Sequence, residues 1–163
     1  MSFVLDKSIP TQTTNNSGPG KTLILGIGNL VLSDDGVGVH VAQAMAGMKL
    51  PDQVEVLDVG AAFLDIITEV KKASRSIVVD AMQAGGTPGT IYRTMLNHCV
   101  SPTHLDTMHG LDISRMFAMA NGREPEDVLV FGVEPAKLSW GMDLSPKVAK
   151  AIPFVIEQIL SEL

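Results

Sequence analysis

One cysteine, Cys99, is all the chain has. No internal disulfide can form, and a Cys-based zinc centre is excluded. A lone free thiol suits a reducing compartment. Basic residues are also in short supply, 12 Lys and Arg against 18 Asp and Glu, for a formal net charge of −6. A generic nucleic-acid surface needs the opposite sign, so nucleic acid is not an expected partner. No run approaches the ~20 apolar residues of a membrane span. The N-terminus, MSFVLDKSIPTQTTNNSGPGK, lacks the basic start and apolar stretch of a signal peptide. These absences point to a soluble cytoplasmic protein with no membrane partner.

What is present is enough apolar material for one core. The chain has 163 residues, 45% of them hydrophobic. That length fits one domain burying about two-thirds of its unfolded surface. Residues 1–20 are rich in Thr, Asn, Ser, Pro and Gly. They offer little apolar surface to offset ordering entropy and are expected to be a flexible tail. A single domain is expected over 21–163.

Along that domain, apolar runs alternate with helical patterns. Thr22–Ile27 and Val128–Val133 are continuous apolar runs, as in strands buried on both faces. Val54–Leu57 and Ser76–Val79 are further strands. Thr90–Thr94 follows a Gly-Gly-Thr-Pro-Gly turn and reads as an edge strand running back. Helices are expected over Val37–Met48, Ala62–Lys72, Asp112–Ala120 and Pro146–Leu163, the last capped by Ser145 with Pro at its first position. The alternation predicts a three-layer α/β/α sandwich around a mostly parallel twisted sheet of about five strands, with one antiparallel edge strand. Sites in such sheets lie beyond the carboxyl ends of the strands.

The densest signal is LILGIGNLVLSDDGVG, residues 23–38. Gly26-x-Gly28 after a strand resembles a dinucleotide turn, but the third glycine of that fingerprint is replaced by Val31. Asp58, ending the second strand, stands where a ribose-binding acid would be and keeps a nucleotide-binding Rossmann-like module open. Asp34 and Asp35 suit a metal better than a phosphate. Ser33 or Asp34 could instead cap the next helix. Asp80 directly follows a buried strand and needs a partner or a task, because an unpaired buried carboxylate is costly. His109 precedes a helix on the same rim, with His104 and His98 competing for the role. Two carboxylates and an imidazole can hold nickel, zinc or a similar ion with positions left open. There is no H-E-x-x-H or G-x-S-x-G pattern. A Cys99–His98 nucleophile pair is disfavoured, since neighbours in the chain rarely face each other.

Taken in order, GIGNLVLSDDGVG, VEVLDVG, IVVDAM, the histidine of HGLDISRMFAMA, and VFGVEPAKLSWGMDLSP resemble the endopeptidases that mature nickel–iron hydrogenases. The resemblance covers nearly the whole chain after the tail. It implies an aspartic-type peptidase that removes a short C-terminal extension from the hydrogenase large-subunit precursor after nickel insertion. The family's nickel-recognising positions fall on Asp35, Asp80 and His109, with Asp35 and Asp80 as catalytic acids. Gly28, Asn29, Asp58 and Gly60 are the expected substrate-facing positions beside them. Nickel would arrive with the substrate, with a substitute divalent cation taking its place in a crystal. A monomer is expected, because a large precursor needs a free rim. A non-catalytic nickel-binding maturation chaperone would use the same three ligands. The chain departs from the family pattern at Asp35, which is Glu in some members, at Val59 for Gly, and at Ala61 for Thr or Ser.

Overall fold

A computed structural model describes residues 2–5, 20–99, 106–107, 109–121 and 128–163. In chain order these form β1 (Phe3–Leu5), β2 (Thr22–Ile27), α1 (Val37–Ala46), β3 (Val54–Gly60), α2 (Ile67–Lys72), β4 (Arg75–Gln83), β5 (Ile91–Met95), α3 (Leu96–Cys99), β6 (Asp106–Thr107), α4 (Gly110–Asn121), β7 (Val128–Val133) and α5 (Pro146–Leu160). Short 3-10 turns, Ser33–Gly36 and Phe63–Ile66, lead into α1 and α2.

The sheet order is β1-β5-β7-β4-β2-β3. Strands β3, β2, β4 and β7 are mutually parallel, and β5 runs antiparallel to β7. These five are the expected mixed sheet. β5 was expected at the edge, but β1 adds outside it in parallel, pairing Phe3 with Ile91 and Leu5 with Arg93. An apolar tripeptide thus covers an edge that would otherwise offer unpaired backbone groups. This is the one described part of the expected tail that is ordered into the sheet; residues 6–19 of that tail lie outside the described residues. β6 makes a brief antiparallel pairing with the far end of β4, Met82 to Thr107.

Strand alternation sorts the core into two layers. Ile24, Ile77, Val79, Leu129, Phe131 and Val133 face α1 and α5. Leu23, Leu25, Ile27, Val78, Met82, Val128 and Val130 face α2, α3 and α4. On α1, Val37, Val41 and Met45 are fully buried, a face of helical spacing whose side chains each contribute about 1.5–3 kcal/mol of burial. The helix lies unusually close to the sheet. A Cβ at Gly38 would overlap the carbonyl oxygens of Val79 and Ile27.

Parity also fixes where the acids go. Asp80 was expected to close its strand, yet β4 runs on to Gln83 and leaves Asp80 inside it, fully buried on the α4 side with Val78 and Met82. At the opposite end of the sheet, Glu162 just past α5 binds two strand arginines. Its carboxylate meets Arg75 Nη2 at 2.9 Å and Arg93 Nε at 2.8 Å, with Arg93 and Glu162 both nearly buried.

Candidate active site

The turn between β2 and α1 is where the first acid is aimed. Gly28 sits at φ +136°, and a Cβ there would overlap the Asp35 carbonyl oxygen; only glycine accepts both conditions. Its backbone N donates to Gly60 O at 3.1 Å, joining the ends of β2 and β3. Asn29 N then donates to Asp35 Oδ2 at 2.9 Å. Asn29 Oδ1 accepts from Val31 N at 3.1 Å. Asp35 is therefore held by the backbone of its own turn and is buried.

Asp80 arrives from β4 and His109 from the start of α4. Asp80 Oδ1 accepts from Ala81 N at 2.8 Å and lies 3.1 Å from His109 Nδ1. His109 N donates to Asp80 Oδ2 at 3.3 Å. The far side of the ring points to the other acid, with His109 Nε2 3.8 Å from Asp35 Oδ2. Phe63 covers the ring at 5.8 Å between centroids. Segments far apart in sequence thus bring Asp35, Asp80 and His109 together at the carboxyl rim of the sheet.

Burial pushes the Asp80 carboxyl up, opposed by its hydrogen bond to His109 and that ring's charge. His109 is pushed up chiefly by its hydrogen bond to Asp80. Desolvation opposes this, and the charges of Asp80, Asp35 and Asp112 reinforce it. The two groups are coupled through their hydrogen bond, and the imidazole stands between two carboxylates with some access to water. Nδ1 is hydrogen-bonded to Asp80, and Nε2 faces Asp35 at a longer distance. Among the described residues no group of three or more His, Cys, Asp or Glu side chains is arranged to hold a metal ion.

The other sequence candidates fall elsewhere. Asp58 is exposed and accepts from Gln43 Nε2 of α1 at 3.0 Å, so its carboxylate is engaged on the α1 side rather than in the cluster. Gly60 takes φ +54° beside Gly28. Cys99 is buried, its Sγ 3.4 Å from Met95 O, and it and His98 follow β5 at the opposite end of the sheet from the rim. His104 lies outside the described residues.

Two acids have duties that local sequence did not signal. Neither Ser33 nor Asp34 caps α1 through its side chain. The fully buried Asp34 carboxylate instead reaches across to the loop before α5. It accepts from Ala136 N (2.8 Å), Lys137 N (2.9 Å), Ser145 N (2.6 Å) and Ser145 Oγ (2.9 Å). Ser145 precedes α5 as expected but caps nothing with its hydroxyl, which is given to Asp34. Glu134, just after β7, accepts from Tyr92 Oη at 2.6 Å, Ala84 N at 2.9 Å and Gly86 N at 3.2 Å. It thereby fixes the loop leaving β4 beyond Asp80. Burial, then the Glu134 bond, pushes the Tyr92 hydroxyl up to about 12. The only advance hint of Glu134 was its place in the Gly-Val-x-Pro stretch.

Known proteins place this architecture. The sequence model described as hydrogenase maturation protease matches residues 39–162. The hydrogenase expression/formation protein HupD of Rhodobacter capsulatus is 34% identical over 89% of this chain and 72% of its own length. The hydrogenase 2 maturation protease of Escherichia coli K12 is 29% identical over 88% and 90%. Among solved structures, the hydrogenase maturating endopeptidase HybD from E. coli superposes with a TM-score of 0.75 at 27% identity, covering 86% of this chain and 90% of that one. No helix among the described residues is long and apolar enough to cross a membrane. The chain belongs to the hydrogenase maturation protease family.

Proposed function

We propose that the chain is the endopeptidase that removes the C-terminal extension of a nickel-loaded [NiFe] hydrogenase large-subunit precursor, reading the nickel through Asp35, Asp80 and His109. The observation that carries this is the meeting of those three side chains at one rim, linked at 3.1 and 3.8 Å through the His109 ring. Two carboxylates and an imidazole are donors that suit a nickel ion with open positions. The enzyme works as a monomer in the cytoplasm, and the nickel is part of its substrate.

The resting geometry suggests how a checkpoint operates. Asp80 and Asp35 both favour the charged form of His109, so a proton on the ring competes with a metal ion for the same imidazole. A nickel-bearing precursor displaces that proton, because a ligating imidazole must be neutral. The ring then turns towards the ion, which Asp35 and Asp80 engage from the same rim. A precursor without nickel has nothing to exchange for the proton and is left uncut. Once the precursor is anchored through its nickel, the scissile bond is held beside this rim, converting encounter into an oriented reaction. Hydrolysis needs a base for the attacking water, and Asp35 and Asp80 are the acids placed to take that proton. On this ground the enzyme is read as an aspartic-type peptidase.

A gel-shift assay of the large subunit tests the reading. Wild type shortens nickel-loaded precursor and leaves nickel-free precursor intact, while Asp35→Asn, Asp80→Asn and His109→Ala remain folded and fail to process. Wild-type rates in all three variants would refute the assignment. A loaded precursor that is bound but never shortened by wild type would make the chain a nickel-binding chaperone.

A further inference from the structure

Trp140 is 79% exposed, yet it stands on one of the most firmly tied loops of the molecule. Ser33 N donates to Gly141 O at 2.7 Å, Gly141 N to Val31 O at 3.1 Å, and Asp34 N to Lys137 O at 3.2 Å. Ser33 Oγ donates to Ser139 O at 3.0 Å. Leu32 and Gly141 pair as an isolated bridge. Beneath them the Asp34 carboxylate gathers Ala136, Lys137 and Ser145. Ser33 adopts φ +54°, a left-handed conformation that costs a non-glycine residue about 1–2 kcal/mol. Such strain persists where the surroundings over-determine it, and it marks functional turns.

The two loops therefore form one rigid piece, and among the side chains they expose are three large apolar ones. Met142 is 69% exposed and Val31 40% exposed beside Trp140. Their bonding is carried by backbone, Ser33 and Asp34, so the fold does not need these three side chains where they are. Trp is among the most frequent anchors at protein interfaces, and Met adapts to irregular apolar partners.

We propose that Val31, Trp140 and Met142 form a docking platform for the protein substrate, seating an apolar surface segment of the precursor beside its cleavage region. The inference rests on the proposed function and adds a second recognition element to the nickel. Continuity with the site selects the occupant. Val31 and Asp35 belong to one short turn, and Asn29, which opens that turn, donates its N–H to Asp35. The loop bearing Trp140 leaves the carboxyl end of β7 and is bonded to the turn that carries Asp35, so a polypeptide seated on the platform lies on the same rim as the three site residues.

The test is steady-state cleavage of nickel-loaded precursor by Trp140→Ala and Met142→Ser, with Trp140→Phe as the conservative control. KM rises about tenfold or more in the first two, as for interface anchors. The value of kcat at saturating precursor and the thermal midpoint stay at wild-type values, and Trp140→Phe recovers most of the KM. Unchanged KM in both variants, or a fall in kcat alone, overturns the platform while leaving the proposed function standing. A wild-type dimer in sedimentation that Trp140→Ala splits also overturns it, by making the patch a self-interface. If wild type does not cut nickel-loaded precursor at all, the proposed function falls and the platform with it.

Discussion

Replacing Asp34 by Ala removes a carboxylate that the fold uses as a four-way clamp. Three backbone N–H groups and one hydroxyl converge on it, at 2.6–2.9 Å. Hydrogen bonds to a charged acceptor contribute about 1.5–3 kcal/mol each, and a donor left buried without a partner costs about 1–3 kcal/mol. Simple addition would exceed any ordinary single-residue effect, because these donors share one acceptor and water enters part of the gap. An unfolding free energy lower by about 4 kcal/mol is expected, near the top of the single-mutant range. For a chain of this size that is a thermal midpoint lower by about 8–16 °C. Asp34→Asn is the sharper probe. Oδ2 takes three of the bonds and Oδ1 one, so an amide keeps its oxygen towards the three and turns an NH2 against Ser145 N. Its cost is about 2 kcal/mol, roughly half that of Ala. Denaturant titration and scanning calorimetry measure both. The loop carrying Trp140 loses its tether in the same variants, so KM for precursor worsens in parallel with stability. An Asp34→Ala protein within about 1 kcal/mol of wild type would refute the clamp, since that is the size of one ordinary hydrogen bond.

The raised His109 pKa has a definite sign. Its stabilising ion pairs with Asp80 and Asp35 are fully present below the ordinary histidine pKa and are lost as pH rises through the raised folded value. Stability of the free enzyme should therefore fall across that window, with the Asp112 charge contributing from α4, and His109→Gln should flatten the profile in pH-dependent denaturation. Binding of nickel-loaded precursor should run the other way, strengthening through the same window and releasing a proton, as seen by calorimetry in buffers of different ionisation enthalpy. Glu162→Gln leaves Arg75 and Arg93 without their shared acid at the opposite end of the sheet. Its cost is about 3 kcal/mol, a midpoint lower by about 6–12 °C, with kcat on precursor unchanged.

Legibility in the sequence followed the locality of the cause. Thr22–Ile27 and Val128–Val133 appear at the expected residues because a strand buried on both faces is an unbroken apolar run. The sequence pattern of β4 ends at Val79, because an acid after an apolar run reads as a strand end. Asp80 lies within the strand with its carboxylate partnered by His109, 29 residues on, a contact that no local pattern shows. The strand-end rule places Asp35 and Asp80 on one rim, and the family resemblance selects His109 over His104 and His98. That the His109 ring stands between the two acids is not legible, because it depends on ring orientation. Asp58 obeys the same rim rule, but parity engages its carboxylate with Gln43 of α1. Asp34 and Ser145 both looked like helix caps, a local role. Their bond to each other spans 111 residues and no neighbouring pattern announces it. Phe3–Leu5 is too short to show a period and sits among polar residues, so its pairing with β5 could come only from the sheet edge it meets.

Nickel recognition by this enzyme requires that its own side chains enter the metal's coordination shell. X-ray absorption at the nickel edge, on loaded precursor freeze-quenched with wild-type enzyme within the first turnover, reads that shell directly. New oxygen and nitrogen scatterers with an imidazole signature are predicted on complex formation, and the imidazole signature should vanish with His109→Ala. A nickel spectrum identical before and after the enzyme binds would contradict recognition through Asp35, Asp80 and His109.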